Sequence, residues 1–143
     1  MPTFLNPVMM RQIIMDHYEN PRNKKQPSSE GYISMHMNSA NCIDDIDVFL
    51  KIVSGYIVDA CFDGVACTIS TSSTDIMCDL LKGKTIKDAQ YIIEQYLNMI
   101  SEKQFDESVL DEAIVFVNTS KQAARIKCAT IGWTAADSLL DKK

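Results

Sequence analysis

IDVFLKIVSGYIVDACF, residues 46–62, decides the fold. Two runs rich in β-branched and aromatic residues, 46–53 and 56–62, are separated by Ser54-Gly55 alone. A two-residue spacer with glycine between such runs predicts a tight antiparallel hairpin. Asp63-Gly64 closes the sheet section, and Tyr32–Asn38 predicts a further strand upstream. The hydrophobic period changes at Thr68: Ile69, Ile76, Met77, Leu80 and Leu81 mark a helix that stops at Gly83. Thr85 caps a second helix, with Ala89, Ile92, Ile93, Tyr96 and Ile100 at helical spacing. Ahead of the sheet, Asn6 is a predicted N-cap with Pro7 at the first helical position, and Val8, Ile13, Ile14 and Met15 supply an apolar side. Asn20-Pro21 ends that helix, and residues 24–31 read as a polar loop. Residues 110–117 predict a short helix, and Ser120 opens a last one with Ala124, Ile131, Ala135 and Leu139 inward. The order implies an α+β fold: a small three-stranded antiparallel sheet covered by helices on one face.

The 143 residues predict a single domain, 1–143, and 46% hydrophobic with 23% charged residues is an ordinary globular composition. A net charge of −5 argues against nonspecific nucleic-acid binding. No apolar run approaches the roughly 18 residues of a membrane helix. The first residues, MPTFLNPVMMRQ, lack the charged, apolar and cleavage regions of a secretion signal. Five cysteines without an export signal fit thiols kept reduced in a cytoplasm.

Three of those cysteines and one aspartate form a candidate metal set. Cys42 and Asp44 are two apart at a predicted strand entrance, where i and i+2 side chains point the same way. Cys67 directly precedes a predicted helix, whose positive end favours thiolate. Cys128 sits in Arg125-Ile126-Lys127-Cys128, where two cations favour thiolate as well. Three soft thiolates and one hard carboxylate are a metal-binding donor set. Taken singly, each cysteine also reads as a small buried hydrophobe, and the spacing is no CxxC pair. Cys61 and Cys78 are assigned to the core, His17 and His36 to structural or surface positions. Met9, Met10, Met15, Met35 and Met37 read as core filler or a partner surface.

Several stretches resemble motifs of the SufU/IscU/NifU-type iron–sulfur cluster assembly proteins. Asp16-His17-Tyr18-Glu19-Asn20-Pro21-Arg22-Asn23 is similar to their DHYxNPRN signature, Cys42-Ile43-Asp44 to their CGD, and Gly64-Val65-Ala66-Cys67 to their GxGC. Residues 70–73 resemble the serine-rich helix start that follows. Arg125-Ile126-Lys127-Cys128-Ala129-Thr130, with Trp133 beyond, resembles the third cysteine motif in its SufU form. Lys127 stands where IscU-type members carry histidine, and residues 101–118 resemble a SufU-type insert. The resemblance implies zinc held by Cys42, Asp44, Cys67 and Cys128, a cysteine desulfurase (SufS-like) as partner, and persulfide acceptance on Cys42. Arg125, with Lys127 beside it, would then pair with Asp44 whenever the carboxylate leaves the metal. The alternative it implies is a scaffold on which a [2Fe-2S] cluster forms from iron and passes to apoproteins; a carboxylate among the thiolates would keep such a cluster labile. A zinc-stabilised interaction domain without sulfur chemistry is the third reading. Three departures stand out. Ile43 and Ala66 replace glycines of those motifs, and Asp45 stands in place of a basic residue. Asp44, Asp45 and Asp47 are thereby expected to crowd negative charge at the site, and Ile43 to stiffen the loop carrying Cys42.

Overall fold

The computed structural model describes residues 5–39 and 43–141. Cys42 lies outside the described residues. Helix α1, Pro7–Glu19, is capped as expected: Asn6 Oδ1 accepts the Met9 N–H at 2.8 Å. Three strands follow, β1 Tyr32–Asn38, β2 Asp45–Val53 and β3 Tyr56–Val65, antiparallel and in the order β1-β2-β3. Ser54 and Gly55 both take positive φ, 53° and 81°, as a tight hairpin turn between twisted strands requires. Helices α2, Thr68–Leu81, and α3, Ile86–Ile100, come next, and α4, Ile126–Asp141, ends the described chain.

Strand alternation puts Ile46, Val48 and Leu50 of β2 under the helices. They meet Ile76, Met77 and Leu81 of α2 and Ile131 and Ala135 of α4 in one core. The opposite face, with Ser34, His36, Asn38 and Asp45, is exposed. The outer edge of β3 is bordered by the stretch after α1: the Lys25 N–H donates to the Phe62 carbonyl at 2.8 Å, and the Phe62 N–H donates to the Asn23 carbonyl at 3.0 Å. Among the described residues no helix is long and apolar enough to cross a membrane.

Three expectations are corrected. The predicted helix over 110–117 is a 3-10 run, Asp111–Lys121, followed by a second, Ala123–Arg125. Residue spacing in 3-10 and α-helices differs too little over two turns for the apolar pattern to separate them. The last helix therefore opens at Ile126, not Ser120, and Ala124 is exposed. On α1, Val8 and Met15 point to solvent, 55% and 37% exposed, while Met10, Ile13 and Ile14 pack on the core.

Candidate metal centre

Cys67 is the N-cap of α2. Its backbone is extended (φ −72°, ψ 176°), and its Sγ accepts the Ser70 N–H at 3.4 Å. The first-turn amides of a helix have no intrahelical acceptor, so the sulfur takes one of them and faces the positive end of the dipole. Asp44, immediately before β2, is buried at 1% exposure. Its Oδ1 accepts the Cys67 N–H at 2.9 Å, and its Oδ2 accepts the Ser70 hydroxyl and lies 4.0 Å from the Cys67 Sγ. The Ser39 N–H donates to the Asp44 carbonyl at 3.0 Å, so the chain leaves β1 and returns to the centre at one point. Cys128 comes from the first turn of α4 and is buried. One carboxylate oxygen of Asp44 and the sulfurs of Cys67 and Cys128 all lie within 4.8 Å of one another.

This donor set fits a thiophilic divalent ion. Bonds of about 2.3 Å hold tetrahedral sulfurs roughly 3.8 Å apart, so donors that all lie within 4.8 Å of one another are close enough to share one ion. Cys42, two residues before Asp44, is the remaining sequence-predicted ligand. Arg125 and Lys127 flank the Cys128 turn and are exposed. The expected crowding of acidic charge is corrected. Asp45 and Asp47 sit on the exposed sheet face, where His36 lies between them: Nε2 is 2.8 Å from Asp45 and Nδ1 is 2.9 Å from Asp47. Alternation along β2 turns those carboxylates away from Asp44, and the Asp47 hydrogen bond, reinforced by charge from both, raises the His36 pKa.

Cys61 and Cys78 are core residues, as expected. Burial raises both thiols' pKa values, Cys78 well above the ordinary value. A second group, His17, Asp75 and Asp79, also brings ligand atoms within 4.8 Å, but its valences are filled by protein. His17 Nδ1 lies 2.5 Å from Asp75 and Nε2 lies 2.8 Å from Glu112. Asn23 Nδ2 donates to both Asp75 (3.1 Å) and Asp79 (2.9 Å), and Lys82 donates to the Asn23 side-chain Oδ1. The DHYENPRN segment is thus a clamp on the middle of α2. An ionised carboxylate only accepts, so a carboxylate on each ring nitrogen favours the doubly protonated imidazolium of His17. Burial opposes that charge, yet Asp75 and Glu112 together outweigh it and raise the His17 pKa. A raised folded value gives stability that is full below the unfolded pKa near about 6.5 and is lost as pH rises through the folded value. The urea midpoint of the wild type is therefore expected to fall with rising pH above neutrality, and that of His17→Gln to fall less; parallel profiles would remove His17 as the cause.

Sequence reasoning missed Ser70, which holds the Asp44 carboxylate. The available signal was a hydroxyl three residues after a cysteine N-cap, inside a polar run that no hydrophobic period explains.

The structure is a small α+β domain that gathers two thiols and a carboxylate, a group that could hold a metal ion, at one end of its sheet. The NifU-like N terminal domain family matches residues 9–129. The chain belongs to that family, the iron–sulfur cluster assembly proteins of the SufU and IscU type. It is 37% identical over 136 residues to the zinc-dependent sulfurtransferase SufU of Bacillus subtilis, covering 94% of this chain and 91% of that one. It is 26% identical over 135 residues to the iron–sulfur cluster assembly scaffold protein IscU of Thermotoga maritima, covering 94% of each. The crystal structure of a putative SUF-system scaffold (FiSufU) from Fervidobacterium islandicum superposes with a TM-score of 0.84 at 28% identity, over 90% of this chain and 94% of that one.

Proposed function

We propose that this chain is a zinc-dependent sulfur acceptor that takes persulfide sulfur from a cysteine desulfurase onto Cys42. The observation that carries the proposal is the meeting of Asp44, Cys67 and Cys128 within 4.8 Å of one another, with Asp44 two residues after Cys42 in sequence. Cys42, Asp44, Cys67 and Cys128 would hold zinc, and bound zinc keeps thiolates deprotonated at neutral pH. The chain's own steps are simple. The Cys42 thiolate attacks the outer sulfur of the partner's persulfide, the partner's S–S bond breaks, its cysteine departs as thiolate, and Cys42 carries the new persulfide. Electrons balance without an added oxidant or reductant. Asp44 is the ligand suited to release, because Cys67 N–H and Ser70 O–H stand ready to hold its charge. Arg125, with Lys127 beside it, supplies positive charge near the ligand turn.

Residues 101–118 would be the SufU-type insert, and within them Glu112 is tied to the α1 clamp. The mixture of one hard ligand with soft thiolates also supports a second reading, a scaffold that holds a labile cluster as cargo for apoproteins. Mass spectrometry after incubation with desulfurase and cysteine separates these. A gain of one sulfur atom on the Cys42 peptide, absent in Cys42→Ser, is the expected result. A metal-loaded chain that gains no sulfur would overturn transfer and leave an interaction domain; an iron-dependent visible spectrum without that adduct would favour the scaffold.

A further inference from the structure

Helix α2 buries an unbroken polar run, Ser70 through Asp75. Buried hydroxyls need partners, and Ser73 finds two of them on α4. Its Oγ donates to the Ala129 carbonyl at 2.7 Å and accepts the Trp133 Nε1–H at 2.9 Å. Tyr96 of α3 reaches the same carbonyl, its hydroxyl donating at 2.8 Å. The Tyr96 ring stacks on Trp133 with centroids 3.8 Å apart and planes 6° from parallel. Ser73, Tyr96, Ala129 and Trp133 are all buried, at 1% exposure or less. Inside a low-dielectric core such a fully satisfied network is rigid, since any displacement strands a polar group.

The place of this network in the chain matters. Ala129 follows Cys128 directly, and Ser73 lies six residues after Cys67, about 9 Å along the helix axis. The two elements that deliver these cysteines are otherwise separate in sequence by the whole of α3 and the 3-10 runs. We propose that Ser73 is a positioning residue of the metal centre: its hydroxyl joins the helix capped by Cys67 to the α4 backbone beside Cys128, and so fixes the separation of two thiolate ligands. The inference rests on the reading of Asp44, Cys67 and Cys128 as metal ligands and adds how their spacing is kept.

Zinc affinity of the full chain, measured by chelator competition, and the urea midpoint of the chelated protein provide the test. The comparison is between wild type, Ser73→Ala and Leu139→Ala, a core truncation eleven residues past Cys128. Ser73→Ala is expected to lower zinc affinity about tenfold, the range seen when a group orienting a metal ligand is removed. Leu139→Ala is expected to destabilise the chelated chain at least as much while keeping wild-type affinity. The thiolate-to-cobalt absorption of the Co(II)-loaded chain should shift in Ser73→Ala alone. Wild-type affinity in Ser73→Ala, or an equal loss in Leu139→Ala, overturns the proposal. Should Ser73→Ala not fold, Ser73→Cys replaces the hydroxyl by a weaker and longer thiol donor to the Ala129 carbonyl: a fall in affinity supports the proposal and wild-type affinity overturns it. A wild type that binds no zinc sinks the metal-site reading itself, an outcome distinct from failure of the Ser73 variant alone.

Discussion

Gly64→Ala is expected to destabilise the chain by on the order of 3 kcal/mol, from overpacking and a disfavoured backbone, and to disable the metal centre. Gly64 pairs with Ile46 across the sheet and sits at φ +125°, a region L side chains rarely adopt. A Cβ there would meet the Asp45 carbonyl oxygen at 2.3 Å and the Ile46 Cα at 2.9 Å. Both are backbone atoms of a paired strand and cannot rotate aside. Asp45 adjoins Asp44, so the displacement that relieves the clash moves the carboxylate proposed to hold the metal. The urea midpoint and the zinc content after dialysis read the two parts separately. An unfolding free energy within about 0.5 kcal/mol of wild type, the scatter of ordinary surface changes, would refute the steric argument.

Cys67→Ser is expected to separate binding from folding. Serine is among the best N-cap residues, and its oxygen can accept the Ser70 N–H that the sulfur accepts now. The helix should therefore keep its start, and the urea midpoint of the chelated protein should stay near wild type. Zinc affinity should fall by more than about a hundredfold, because losing an orienting group alone costs ~10–100-fold and here a ligand itself is lost. Retention of tight zinc binding by the folded variant would exclude Cys67 as a ligand.

Most of the sheet and of α1 to α3 could be read from residues near in sequence. Ser54-Gly55 carries the hairpin by local backbone preference, and Asn6 and Thr85 carry the caps by side-chain bonds three residues long. The residues proposed as ligands stood out through short motifs, Cys67 directly before a recognisable helix start and Cys128 between two nearby cations. What escaped depends on partners far away in the chain. Ser70 matters through Asp44, 26 residues upstream, and Ser73 through Ala129, 56 residues downstream. The polar run of α2 falls outside the apolar period of that helix, and its burial against α1 and α4 depends on elements distant in sequence. The start of α4 was misplaced because the 3-10 run before it shares its apolar spacing. Gly132 illustrates the same limit: a Cβ there would meet Thr74 Oγ1 at 2.3 Å, so glycine marks a helix crossing that no local pattern announces.

The stretch that borders β3 has a bearing on how the molecule behaves in company. A bare sheet edge is a template for strands of other chains. Here the main-chain groups of Phe62 are bonded to Asn23 and Lys25, and those of Ile57 to Gly83 and Lys84. At those two positions the edge is already occupied by the chain itself, which shortens the stretch of β3 that a strand of another molecule could pair with.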